Sequence, residues 1–231
     1  MEKVQTRYSL ITDKFPREFI LLQGKGCFWK KCKFCDYYND TSTNPFEINS
    51  HVIDKITGRF GVIDVINSGS TMELDSLTLS KLINKINEKH IKEVWLEVHW
   101  VYKNILSEFA KKFRNSKVKF RTGIETFDSN LRNYWNKGIP ESVTPQEVAK
   151  YFDSVCLLVG TENQSFDSVI SDIKTAKKYF ERFMVNVFVP NSTSMRSNPQ
   201  LIEKFIKEIY PEIKDDPTIE ISLNITDLGV G

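Results

Sequence analysis

Residues 19–38 read FILLQGKGCFWKKCKFCDYY. The apolar run 19–22 predicts a buried strand, and Gly24 and Gly26 end it. Cys27, Cys32 and Cys35 follow at once, spaced C-x4-C-x2-C. Three of the chain's 4 cysteines thus fall in one short loop after a strand. Cysteines that serve as small core hydrophobes scatter through a sequence. Clustered thiolates are how proteins hold zinc or an iron–sulfur group.

Three ligand sets are open to this loop. Structural zinc needs a closed tetrahedral set, and no second CxxC or HxxxH supplies it. A plant-type [2Fe–2S] site shares the spacing but needs a distant fourth cysteine. Cys156 is the one candidate, and in SVCLLV it reads as a core residue of a strand. A [4Fe–4S] cluster held by Cys27, Cys32 and Cys35 leaves one iron open, which suits a reaction centre.

The 231 residues fit one domain, with 1–18 as an N-terminal extension, 27–35 as the cysteine loop and 218–224 as an additional C-terminal strand. Lys+Arg 32 against Asp+Glu 30 gives no field that would draw a nucleic acid or a membrane surface. MEKVQTRYSL lacks the apolar core of a signal peptide. No run approaches the ~18 apolar residues of a membrane span. A cytoplasmic protein is expected, where clustered cysteines favour metal over disulfide.

Strands are predicted at 62–69, 93–100, 118–125, 153–160, 182–190 and 218–224. Helices are predicted at about 49–57, from 75 or 76 through Ile86, near 102–115, 128–137, from Thr144, 166–179 and after Asn198-Pro199. Pro45 argues against helix in 39–50. The alternation implies parallel strands with right-handed crossovers, too few for a closed eight-fold barrel. The expected fold is α/β, a partial, open (βα)6 TIM-type barrel; a flat doubly wound sheet is the alternative. Period-two faces favour the barrel. Val94, Leu96, Val98 and Trp100 form an apolar face, and Trp95, Glu97 and His99 the other. Phe120 and Ile124 oppose Lys119, Arg121 and Glu125 in the same way.

The loop resembles the cluster motif of the radical S-adenosylmethionine superfamily, C-x3-C-x-Φ-C with Φ aromatic. Phe34 fills the aromatic position before Cys35, and one extra residue stands between Cys27 and Cys32. The resemblance implies the same partial barrel, a [4Fe–4S] cluster, bound S-adenosylmethionine and a 5′-deoxyadenosyl radical that takes hydrogen from substrate. It implies cofactor contacts from Phe34 and from the end of the second strand, Asn67-Ser68-Gly69-Ser70, where the family often carries Gly-Gly-Glu and this chain has no glutamate. Arg121 and Glu125 match its polar strand-four end, and Val159 and Gly160 its adenine-lining turn. An external electron donor such as flavodoxin or ferredoxin is implied as partner.

Glu97 and His99, at the end of one strand, are the candidate catalytic pair; Asn186 and Arg196 are candidates for binding substrate, Arg196 beside Ser192 and Ser194 for a phosphate. The expected substrate is a small, polar nucleoside or nucleotide. The length, cysteine spacing and Lys/Ile/Asn bias are similar to those of the bacterial queuosine-salvage lyases, which release queuine from queuosine 5′-phosphate. The competing functions are a glycyl-radical activating enzyme and a non-catalytic iron–sulfur or zinc interaction module.

Overall fold

The computed structural model describes residues 5–231. The strands are β1 Tyr8–Ile11, β2 Arg17–Leu22, β3 Val62–Asn67, β4 Glu93–Glu97, β5 Lys117–Glu125, β6 Ser154–Val159, β7 Arg182–Val187 and β8 Ile219–Ser222. Within each of the two units described below, neighbouring strands follow in sequence order. The α-helices are α1 Pro45–Asp54, α2 Ser76–Glu88, α3 Leu106–Ala110, α4 Ser129–Tyr134, α5 Pro145–Tyr151, α6 Phe166–Tyr179, α7 Pro199–Lys204 and α8 Tyr210–Ile213. The chain divides into two compact units, one comprising residues up to Lys30, Tyr37–Phe120 and Ile225–Gly231, the other Lys31–Asp36 and Arg121–Asn224.

In the first unit β2, β3 and β4 are parallel, with Leu22 opposite Asn67 and Val65 opposite Leu96. β1 is an addition to the sequence reading, which takes 1–18 as a polar extension. It pairs antiparallel with β2, Tyr8 opposite Ile20. Four residues, none of them buried, carry too little pattern to announce a strand. The C-terminus closes on it. Gly231 N donates to Thr6 O at 2.9 Å, and Leu228 and Val230 pack with Ile11, Phe19 and Leu21 in a small second core.

Pro45 begins α1 instead of preventing a helix. At the first helical position its fixed φ suits the turn, and its missing N–H is one the helix leaves unused. Asn49, at the predicted start of this helix, is instead fully buried one turn into α1. Its Oδ1 accepts from Gln23 N at 2.7 Å and its Nδ2 donates to Gln23 O at 2.8 Å. The chain is thus clamped at the residue that follows β2, where the cysteine loop is launched. Asp75 caps α2 by accepting from Thr78 N at 2.9 Å, and Leu82 and Ile86 are buried as the helical period requires.

The expected alternation of polar and apolar faces is not simple along the strands. All six positions of β2 and of β6 are buried, and so is Trp95 on the face read as polar. Arg17 and Asp64 are admitted to the interior as a pair, Nε to Oδ2 3.0 Å, at 0% and 1% exposure. The helix expected at 102–115 is a 3-10 turn, Trp100–Ile105, followed by the short α3.

In the second unit β5–β6, β6–β7 and β7–β8 are parallel. Asp128, Thr144, Ser165 and Asn198 each accept a backbone N–H as N-caps of α4, α5, α6 and α7. Between α7 and α8 the helix widens to a π turn at Phe205–Ile209. Pro211 lies just beyond; having no N–H, it cannot continue the ordinary ladder.

Candidate functional site

In the first unit the cysteine loop leaves the C-terminal end of β2 beside the end of β3. Gly24 N donates to Ser68 Oγ at 2.8 Å, with Ser68 2% exposed. Gly69 is required by close approach. A Cβ there would strike a Glu73 carboxylate oxygen and would lie 2.9 Å from Gly26 O and 3.1 Å from the Cys27 Cα. The Cys27 thiol is half-buried and accepts from Lys30 N at 3.4 Å.

Glu73 is the residue the sequence reading missed. It ends the 3-10 turn Thr71–Glu73 and folds back to the end of β3. Ser70 N donates to its Oε2 at 3.3 Å, and Tyr102 OH to its Oε1 at 2.9 Å. Burial, then Glu73 as acceptor and as charge, raises the Tyr102 phenol above its ordinary range. The available signal was Ser70-x-x-Glu73, the spacing at which a glutamate reaches back to a helix start.

Glu97 and His99 are both half-buried at the end of β4. Glu97 O accepts from Thr71 Oγ1 at 2.8 Å. His99 N donates to Ser70 Oγ at 3.4 Å, which ties the ends of β3 and β4 together. The His99 imidazole stacks on Trp29 of the cysteine loop, centroids 6.0 Å apart and planes 18° apart. Its Nδ1 accepts from Val101 N at 3.2 Å, so the neutral ring carries its proton on Nε2.

In the second unit Cys32 and Cys35 pack against an apolar wall of Phe34, Leu131, Trp135, Leu158, Phe188 and Met195. Phe34 is 9% exposed and meets Trp135 edge-on at 5.7 Å. The loop after β7 grips this segment from its other end. Asn191 Nδ2 donates to Phe34 O at 2.8 Å, and Ser192 N and Oγ to Asp36 Oδ2 at 2.9 and 2.8 Å. Ser192 is therefore engaged with Asp36, while Arg196 is exposed and Asn186 half-buried on β7.

Arg121 and Glu125 are buried on β5, at 2% and 7% exposure, but the period-two reading of this strand fails at its end. The register with β6 slips between Gly123 and Glu125, and Glu125 sits at φ +66. The slip turns the Glu125 carboxylate to Lys137, Oε1 to Nζ 2.8 Å. Val159 is buried, and Gly160, at φ +97 with Ile202 against it, donates its N–H to Gln164 Oε1 at 2.8 Å.

Neither the loop cysteines nor Cys156 form a disulfide. Among the described residues no three His, Cys, Asp or Glu side chains are gathered as a metal site, and no helix is long and apolar enough to cross a membrane.

No family model matches the sequence, and no curated protein does. Among solved structures the chain is similar to a queuine lyase from Clostridium spiroforme bound to SAM and queuine. Identity is 38%, the match covers 99% of this chain and 100% of that chain, and the TM-score is 0.94. Streptococcus suis SuiB bound to S-adenosylmethionine matches 88% of this chain and 50% of that one at 14% identity and a TM-score of 0.54, a likeness of fold. The fold class is the partial, open TIM-type α/β barrel. The chain is a radical S-adenosylmethionine lyase and belongs to the queuine lyase family of that superfamily.

Proposed function

We propose that the chain cleaves queuosine 5′-phosphate and releases queuine, using S-adenosylmethionine and a [4Fe–4S] cluster on Cys27, Cys32 and Cys35. The observation that carries the reading is the end-to-end likeness to a queuine lyase bound to SAM and queuine. The donor set fits such a cluster. None of the three thiols is tied up in a disulfide, Cys27 receives a backbone N–H, and Cys32 and Cys35 rest on an apolar wall. Three thiols on one loop, two of them backed by apolar side chains, suit an iron–sulfur group. When bound, that group supplies the single electron that breaks the sulfonium bond of S-adenosylmethionine.

The chain's own residues bind, orient and shield. The Glu73 carboxylate is proposed to take the ammonium of the cofactor's methionine, the role for which the sequence offered only Ser68, Gly69 and Ser70. It is fixed there by Ser70 N and Tyr102 OH. Arg121, Val159 and Gly160 are assigned to the carboxylate, ribose and adenine, Phe34 supports the wall, and Glu125 acts through Lys137. Glu97 and His99 are assigned to the nucleotide base, with Asn186 on the sugar side and Arg196 toward phosphate. A reduced flavodoxin or ferredoxin is the proposed electron donor.

The test is anaerobic reconstitution followed by reduction with queuosine 5′-phosphate present. Release of queuine together with 5′-deoxyadenosine is expected. Formation of 5′-deoxyadenosine without queuine would overturn the substrate and leave the radical chemistry in place.

A further inference from the structure

The second unit buries one carboxylate and one ammonium together, and three irregularities of the backbone bring them there. Glu125 is a non-glycine residue at φ +66, at the register slip of β5. Lys137 leaves α4 through a turn in which Asn136 is at φ +55 and Gly138 at φ +73. Gly123 provides the space: a Cβ there would collide with Glu125 Oε1 and would stand 2.9 Å from Lys137 Nζ. The pair itself is 2.8 Å apart, with side chains 11% and 9% exposed. A buried ion pair adds little net stability over apolar residues of similar size. A fold that spends left-handed backbone on one is explained better by what lies beside it.

What lies beside it is the cysteine segment. Lys137 Nζ is 5.5 Å from the Phe34 ring centroid, and Phe34 stands in the chain between Cys32 and Cys35. Lys33 N donates to Trp135 O at 3.0 Å, so the loop is pinned two residues before Lys137. Burial alone would lower the Lys137 ammonium. The charges of Glu125, Cys32 and Cys35 outweigh it and hold the group well above the ordinary lysine range. The attraction is mutual, so a buried ammonium also favours negative charge on the thiolates and on whatever they hold.

We propose that Lys137 and Glu125 form a fixed charge couple that sets the electron affinity of the iron–sulfur group bound by Cys32 and Cys35. This rests on the cluster assignment made above. Reduction adds one negative charge to that group, and its potential responds to nearby charge and burial. The ammonium favours the added electron, and the carboxylate opposes it while keeping the ammonium in place. The couple is a positioning device for charge; neither member is asked to ligate iron or to exchange a proton.

The experiment measures the midpoint potential of the reconstituted full chain without S-adenosylmethionine, so that contacts to that molecule do not enter. Iron and sulfide content are measured on the same samples. Lys137→Gln is expected to lower the potential, Glu125→Gln to raise it, and Lys137→Arg to stay near the wild type. A structural role alone does not move the two glutamine variants in opposite directions. If wild-type protein loads iron and sulfide but both glutamine variants keep its potential, or shift the same way, the couple is overturned and the cluster stands. Should Lys137→Gln fail to load, an unchanged or lowered potential in Glu125→Gln overturns it by itself. A wild-type chain that takes up no iron and sulfide overturns the cluster assignment and the couple with it.

Discussion

Tyr102 OH donates to Glu73 Oε1 at 2.9 Å. Ser70 N holds the other carboxylate oxygen. Both acceptor atoms of Glu73 are therefore oriented by the chain before a ligand arrives, which reduces the ordering that binding must impose. Glu73→Gln removes the charge and is expected to weaken S-adenosylmethionine binding about tenfold or more, at 1.5–3 kcal/mol for a hydrogen bond to a charged group. Tyr102→Phe leaves the carboxylate but frees one oxygen, for a loss of about three- to tenfold. Calorimetric titration, with melting temperatures checked in parallel, measures both. Full affinity in Glu73→Gln would remove it from the cofactor site.

The cysteines divide into two classes. Replacing Cys27, Cys32 or Cys35 by Ala is expected to abolish the reconstituted iron–sulfur absorption and the formation of 5′-deoxyadenosine together. Cys156 is 5% exposed inside β6, so Cys156→Ser is expected to keep the full iron content and cost about 1–3 kcal/mol in stability, as a hydroxyl replaces a buried thiol. Loss of iron in that variant would restore the four-cysteine [2Fe–2S] reading.

Much of the fold was legible because caps and periods agreed. The helix expected near 166–179 is α6, whose cap is Ser165, and Asn198-Pro199 announces α7. What was not legible depends on contacts remote in sequence. β1 becomes a strand only because Phe19, Leu21 and Val230 give it something to cover. Lys137 reads as a helix stop until the slip in β5 brings Glu125 to it. Glu73 escaped because a carboxylate was sought within Asn67-Ser68-Gly69-Ser70, whereas a 3-10 turn returns it from further along the chain. The three cysteines were singled out by their spacing alone, and their role as cluster ligands is the proposal that the cysteine variants test.

Asp172 on α6 is 4% exposed, and burial pushes its carboxyl up to about 6, against the hydrogen bond from Phe127 N at 2.7 Å. Between about pH 4 and pH 6 the folded chain keeps a proton that the unfolded chain has released. Stability is therefore full below that window and falls as pH rises through it, by about 3 kcal/mol at most for a shift of roughly two pH units. Asp172→Asn keeps an acceptor for Phe127 N and cannot ionise. It is expected to flatten the pH dependence and to be the more stable protein at pH 8. Urea midpoints at pH 5 and pH 8 decide it; an equally steep slope in the variant would exclude Asp172 as its source.

Glu97 and His99 share the end of β4 but not the same obligations. The His99 imidazole caps the following turn through Nδ1 and stacks on Trp29, so part of its role is to hold the turn and the loop. His99→Ala is expected to cost about 0.5–2 kcal/mol in stability, the usual loss for a cap, alongside any loss of activity. Glu97 meets its neighbour Thr71 through a backbone carbonyl, which a side-chain substitution leaves in place. Its carboxylate is suited to accept from the N–H groups of a purine-like base, and losing such a bond to a buried ligand costs about 1–3 kcal/mol. Glu97→Ala is therefore expected to slow release of queuine from queuosine 5′-phosphate about tenfold or more, with melting temperature and uncoupled 5′-deoxyadenosine formation close to the wild type. A uniform loss of both products would place Glu97 with the cofactor instead of the base. Unchanged queuine release would remove it from the site.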